Sequence, residues 1–399
     1  VELPDLRALL TPAGQRALAA AEARQPAEPD FLAHFQALSR QHPPALARAA
    51  LETAILRREA AAKFPPGVAR QLYLTREALQ QASPWEVAAH RAARFRGYDL
   101  TLDLGCSIGA DTIHLAQVGA GLAPALGLDR DPLRLALARL HLAALGLPAE
   151  FIRADLTSPL PFAPPRLRAA ALFFDPARRR GHRRIFSVRN YSPPLDVIRN
   201  WRAAALGVKI SPGVDLAELA GYDCEIEFTS LHGELKEAGL WFGAFRSAGS
   251  RATLLPGGHT LAADGRPGTD AQPSPLSPPR RYLYEPDPAV IRAGLVGALA
   301  GQLGAAQLDA SIAYLTADRR VDTPFARAWQ VEDWLPFNLK NLRAHLRARN
   351  VGRVTVKKRG SPLTPEKLIA DLKLHGEEQR ALVLTRLQGE PVVLVCLPP

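Results

Sequence analysis

Between residues 98 and 255 the chain repeats one pattern: a short apolar run, then a stretch with apolar residues three and four apart. LTLDLG leads to TIHLAQ and APALGLD to PLRLALARLHLAALG; AEFIRADL, AALFFDP and LGVKISP continue the series. Parallel strands buried on both faces read as continuous apolar runs, and helices between them imply βαβ units. A doubly wound α/β sheet is therefore expected, with EIEFTSL, GLWFGAF and ATLL as its later strands. In such a sheet ligands bind outside the carboxyl ends of the strands. Those ends are where chemistry is to be sought.

The flanking segments read differently. Residues 1–97 are helical in pattern: ALARAALETAILRREAAAKF has no internal Pro or Gly. Pro65-Pro66-Gly67 breaks the run, and LTREALQQAS restarts it with Thr75 as N-cap. HRAARF sets His90, Arg91 and Arg94 close together on a helix, where a solvated charged face is the plain expectation. Residues 256–280, rich in Pro, Gly, Ser and Asp, read as a linker. Residues 281–331 form a small unit with a helix over DPAVIRAGLVGALAGQLG and extended pieces at SIAYLTA and ARAWQV. Residues 332–399 add helix, strand, helix and two strands. A chain of 399 residues has room for several cores.

Composition narrows the partners. The formal net charge is +11, which favours an anionic partner, most often nucleic acid. Cys106, Cys224 and Cys396 lie far apart, with no metal-ligand spacing and no even count for a disulfide framework. No metal site is expected, and the compartment is read as reducing and cytoplasmic. No apolar run nears the roughly 20 residues that span a bilayer, and the opening VELPDLRALL has no signal-peptide core. Nothing in the sequence demands a dimer, so a monomer suffices.

Three strand ends carry acids. In LDLGCSIGADT, Asp103 is followed by Gly105, Cys106 and Gly109, and the glycines allow a sharp turn and close approach of a ligand. The spacing is not the dinucleotide G-x-G-x-x-G. It resembles the D-x-G-x-x-x-G loop of class I S-adenosylmethionine-dependent methyltransferases. A pyrophosphate wants backbone N–H groups at a helix N-terminus; a cationic amino-acid tail wants acids and carbonyls. GLDRDP puts Asp129, then Arg130, at the next strand end, where a carboxylate accepts from both ribose hydroxyls. IRADL puts Asp155, then Leu156, at another, resembling the acid that meets the adenine amine in that superfamily. The resemblance implies S-adenosyl-L-methionine as cofactor, bounded by these eight residues.

The fourth strand runs into LFFDPARRRGHRR. Asp175 stands at its carboxyl end, where a carboxylate and a nearby carbonyl can accept the hydrogens of a base nitrogen and localise its lone pair. The tetrad Asp175-Pro176-Ala177-Arg178 resembles the Asn/Asp-Pro-Pro tetrads of methyltransferases acting on nucleobase nitrogens, which implies catalytic roles for Asp175 and Pro176. It departs from them at Ala177 and at Arg178, which replaces an aromatic. The competing reading of Asp175 is a cofactor- or loop-ordering acid. Arg178, Arg179, Arg180, Arg183 and Arg184, with His182 among them, read as a phosphate track or as a solvated basic loop. YSPPL, KISPG and GELKEA either border the pocket or are plain loop structure.

LTREALQQAS, HRAARF, LDLGCSIGADT, FFDPARR, YSPPL, KISPG and GELKEA, in this order, resemble a family of bacterial class I methyltransferases ending in a ferredoxin-like unit and a THUMP-like domain. The resemblance implies a helical domain over 1–97, a Rossmann-like methyltransferase domain over 98–255, a linker over 256–280, a ferredoxin-like domain over 281–331 and a THUMP-like domain over 332–399. VKKRGSPLTPEKL, with Lys357, Lys358 and Arg359, resembles the basic motif of the last domain. RNA, as tRNA or rRNA, is the implied partner, and Lys340, Arg343, Arg347, Arg349 and Arg353 add basic charge beside that motif. Methylation of an RNA base nitrogen is the leading expectation. An RNA-binding protein with a vestigial methyltransferase fold, or a methyltransferase for protein or a small molecule, are the others.

Overall fold

A computed structural model describes residues 2–119, 124–180, 183–267 and 274–398, without the side chains of 179, 180, 183 and 184. The chain divides into two compact units. One comprises Val1–Cys224 with Lys236–Ser247, the other Glu225–Leu235 with Ala248–Pro399. Among the described residues no helix is long and apolar enough to cross a membrane.

The first seven sheet strands are β1 (Thr101–Leu104), β2 (Ala125–Asp129), β3 (Ala149–Arg153), β4 (Ala171–Phe174), β5 (Ala205–Ile210), β6 (Glu225–Leu231) and β7 (Glu234–Gly243). In the first unit they run in the order β3-β2-β1-β4-β5-β7. The first five are mutually parallel, and β7 is antiparallel to β5, with Val208 opposite Leu240. Every residue of β1, β2, β4 and β5 is buried, which is why these strands read as unbroken apolar runs. The crossover helix Pro132–Ala144 starts where the Asp131 carboxylate accepts the N–H groups of Leu133 and Arg134, with Pro132 in its first turn.

The N-terminal helices, among them Pro12–Glu22 and Pro44–Ala60, bury their apolar faces in a cluster that also takes in Ile108 and Leu137. This region therefore shares a core with the sheet's own helices. His141 ties the two together. Its Nε2 accepts the Tyr73 N–H at 2.9 Å, which leaves Nδ1 to donate to the Ile108 carbonyl at 2.8 Å.

In the second unit, β8 (Ser250–Leu255) lies parallel to β6 and antiparallel to β9 (His259–Ala263). A seven-stranded sheet follows, from β10 (Tyr282–Pro286), β11 (Ala306–Asp309), β12 (Ile312–Ala317), β13 (Ala326–Pro336), β14 (Val351–Lys358), β15 (Glu378–Leu387) and β16 (Glu390–Cys396), ordered β11-β12-β10-β13-β16-β15-β14. Period-two alternation gives it two cores. Ala381, Val383, Leu394 and Cys396 face one way, and Leu382, Leu384, Val393 and Val395 face the helices Leu339–Ala348 and Pro365–Leu372.

Three features depart from the sequence reading. The stretch expected as a linker, 256–280, holds β9, which the backbone ladder ties to β8 from Ser250↔Ala263 to Leu254↔His259. The helix expected over 287–304 is two helices, Pro288–Arg292 and Val296–Leu303, separated at Gly294, whose φ is 72°. And β13 runs through residues 331 and 332 without a break. Its first half pairs with β10, its second with β16, and the register shifts between Val331 and Asp333.

Candidate active site

The carboxyl ends of β1, β2, β3 and β4 open into a cleft of about 260 Å³. Gly105, with φ 82°, begins the loop after β1. A Cβ at that position would lie 3.0 Å from the Asp175 carbonyl oxygen, so only glycine lets this loop meet the one after β4. The Ser107 N–H bonds to Asp129 Oδ2 at 3.0 Å and the Asp131 N–H to Oδ1 at 2.9 Å. Each oxygen of Asp129 keeps lone-pair capacity for a ligand in the cleft it lines. Asp155 is exposed there, and its Oδ1 accepts the Thr157 N–H and hydroxyl. The Thr157 N–H, then its hydroxyl, holds the carboxyl below its usual range.

Cys106, Arg130, Leu156, Pro176 and Arg178 also line this cleft. Burial pushes the Cys106 thiol up, which favours the thiol over the thiolate. Two expected residues do not reach the wall. Gly109 has φ 78°, and a Cβ there would lie 3.1 Å from Ala138 Cβ, so it serves the packing of helix Pro132–Ala144. Asp103 is 1% exposed. Its Oδ2 accepts the Thr112 hydroxyl at 2.5 Å, and Oδ1 has no partner among the described residues. Burial and then neighbouring Asp111 push its pKa well above the carboxylate range. Among the described residues no group of three or more His, Cys, Asp and Glu is placed to hold a metal.

Asp175 lines the cleft and is not alone. Lys209 Nζ, on a side chain 3% exposed, donates to Asp175 Oδ2 at 2.7 Å and to the Gln81 carbonyl at 3.3 Å. The Asp175 carboxylate is 21% exposed. Gln81 belongs to LTREALQQAS, which lines the same cleft through Ala78, Gln80, Gln81 and Ala82. The lysine's signal lay in the sequence: one cation inside the otherwise apolar strand ALGVKI.

Asp111 is a second residue that pattern reading missed. It lines the cleft, and its carboxylate receives Arg91. The expectation of a solvated face in HRAARF is corrected here: Arg91 is 3% exposed. It donates to Glu237, Asp111 and Ser83, and lies over the Phe173 ring at 4.7 Å. Burial works against its charge, and Asp111 and Glu237 overcome that and hold the guanidinium above its usual range. Burial likewise opposes the Asp111 charge, and Arg91 and Lys209 outweigh it.

After Asp175 the backbone forms a two-stranded ribbon of Arg179–Arg180 against Arg183–Arg184. The phosphate track expected of Arg179, Arg180, His182, Arg183 and Arg184 falls on His182 and on side chains that lie outside the described residues. Arg178 is described: its Nη1 is buried with no partner among the described residues. In the second unit Lys357 and Arg359 share Glu285, at 3.6 and 3.9 Å, and lie over the Trp329 and Tyr314 rings. Lys358 is exposed.

Comparison with known proteins places these features in a lineage. Residues 326–398 match a family model described as THUMP domain-like, and residues 2–60 match one described as a domain of unknown function (DUF8688). Two proteins of Mycobacterium tuberculosis, from strains CDC 1551 and H37Rv, are named as S-adenosylmethionine-dependent methyltransferases. Each is 37% identical over 347 residues, 84% of this chain and 92% of the relative. The crystal structure of a methyltransferase from Porphyromonas gingivalis W83 is similar at a TM-score of 0.70 and 19% identity, covering 93% of this chain and 98% of that one.

Proposed function

This chain belongs to a family of class I S-adenosylmethionine-dependent methyltransferases with a THUMP-like domain at the C-terminus, and we propose that it methylates a base nitrogen of structured RNA, tRNA or rRNA. The residues present fit the cofactor. Asp129 retains acceptor capacity for two neighbouring ribose hydroxyls, and Asp155 and Leu156 border the place for a purine edge. Asp111, at the wall, supplies a carboxylate for a cationic amino-acid end. When bound, the sulfonium supplies an electrophilic methyl carbon.

The chain's own residues then have to align a nucleophile. Lys209 holds one oxygen of Asp175. The other is left to accept a hydrogen from a substrate N–H, which orients the nitrogen and localises its lone pair. Pro176 lines the cleft beside it. Arg178 and the ribbon after it take flanking phosphates, and Lys357, Lys358 and Arg359 contribute to RNA affinity from the second unit. The THUMP-like match and the +11 net charge support RNA as substrate. The three cysteines are buried and none is joined in a disulfide, in keeping with a cytoplasmic enzyme.

The observation that carries this reading is the Asp175 carboxylate at the carboxyl end of β4, lining the same cleft as Asp129 and Asp155. Mass spectrometry of nucleosides from RNA of cells with and without the protein tests it. A methylated nucleoside should vanish without the protein, return with the wild type, and stay absent with Asp175→Ala. An unchanged nucleoside profile would contradict the RNA reading, and full rescue by Asp175→Ala would contradict the role of the acid.

A further inference from the structure

We propose that Phe186 is the stacking platform for the target base, so that the enzyme takes a nucleotide whose base has been unstacked from its neighbours. The inference rests on the reading above. It adds the side chain that grips the base and the form in which the base must arrive.

Phe186 is 51% exposed, and among the described residues every other Phe, Tyr and Trp is buried or half-buried. Its surroundings are nonetheless fixed. Ile185 N–H bonds to the Arg178 carbonyl at 2.9 Å, which sets Phe186 beside a residue that lines the cleft. Just after it, Ser187 Oγ and Val188 N both donate to Glu218 Oε2, at 3.0 and 2.9 Å. The ring lies against Gly213, where a Cβ would come within 3.3 Å of it. Gly213 is four residues beyond Lys209, the residue bonded to Asp175. Phe186 thus stands over the segment leaving β5, between two elements that converge on the carboxylate.

Among the described residues the cleft has no accessible ring of its own. The one aromatic in its lining is Phe174, which is fully buried and set edge-on against Trp201. A base brought to Asp175 would need a planar apolar face, and aromatic side chains supply that face for bases splayed out of single-stranded loops and bulges. Arg178, with its unpartnered Nη1, is placed to take the adjoining phosphate. A ring and a guanidinium carried on one short stretch of chain suit one unstacked nucleotide, whichever base it carries. Stacking tolerates all four bases, so Asp175 and its neighbours are left to choose among them.

The test uses the full chain, labelled S-adenosylmethionine, and total RNA from cells lacking the protein. Phe186→Ala and Phe186→Leu should raise KM for RNA by roughly 5- to 150-fold, the range of one lost base stack. Phe186→Trp should restore it. Calorimetric affinity for S-adenosylmethionine should be unchanged in all three, which shows that they fold. Gly213→Val, which displaces the ring without removing it, should also raise KM. If the wild type methylates this RNA and Phe186→Ala or Phe186→Leu does so with unchanged KM, the platform is refuted and the RNA reading stands. If the wild type transfers no methyl to it, both fall.

Discussion

Replacing Lys209 with Met removes the cation that holds Asp175. At 2.7 Å an ion pair is worth about 6 kcal/mol gross in a medium of effective dielectric ~20. Desolvation of the 3% exposed ammonium offsets much of that. What matters for the variant is the carboxylate left behind. Stripping one partner from a buried pair costs about 3–5 kcal/mol. Asp175 is 21% exposed, so water from the cleft can occupy part of the vacated place, and about 2–3 kcal/mol is expected. Asp175→Asn strands the lysine instead, with only the Gln81 carbonyl, and should cost about as much. The double variant leaves neither charge. Urea unfolding followed by circular dichroism on all four proteins gives the cycle. The double variant should be less destabilised than the sum of the singles by about 2 kcal/mol. In the methyl-transfer assay Lys209→Met should lose about 100-fold in kcat with little change in cofactor affinity, because the acid loses its alignment. Additive stabilities within about 0.5 kcal/mol, or undiminished kcat, would refute the reasoning.

Other expectations follow from the same geometry. Asp129→Ala should weaken S-adenosylmethionine binding about 10- to 100-fold by calorimetry, the range for hydrogen bonds to a charged acceptor. His141 is buried and neutral, its pKa lowered by burial to about 4. The unfolded imidazole, near 6.5, binds a proton first on acidification. Stability is therefore full above about pH 6.5 and falls toward pH 4, by about 3 kcal/mol from this residue. His141→Gln should be less stable at pH 7 but flatter across that window in chemical denaturation. Arg91→Met leaves Glu237 and Asp111 without their shared cation and should cost about 3–5 kcal/mol in the same experiment. Changing Lys357, Lys358 and Arg359 together to Ala should flatten the dependence of log affinity on log salt by about 2, measured by filter binding with RNA from cells lacking the protein.

What was legible in the sequence was local. Asp129 ends its own strand, Asp175 follows directly on β4 and Asp155 lies two residues past β3, so a few adjacent residues carry both the strand and its chemistry. Gly105 is legible for the same reason: the turn it permits is its own. The balancing charges were not local. Arg91 meets Glu237 across 146 positions, and Lys209 meets Asp175 across 34 and Gln81 across 128. A charged helix face looks alike whether it meets solvent or a buried carboxylate, so HRAARF reads as surface while Arg91 lies inside. Gly109 shows a different ambiguity. A conformationally free residue in a cofactor loop reads as facing the ligand, but the close neighbours are Ala138 and Leu142. The continuity of β13 was hidden because ARAWQVEDWLP is mixed in polarity, with one run of residues serving two pairings.

The central claim is that the cleft over β1, β2 and β4 holds the cofactor with its reactive sulfur toward Asp175. A crystal structure of the full chain with S-adenosylhomocysteine measures this directly. The account predicts ribose hydroxyls on Asp129, the adenine edge at Asp155, and the sulfur facing the Asp175 side of the cleft. A nucleoside bound elsewhere, or a sulfur turned away from Asp175, would contradict it.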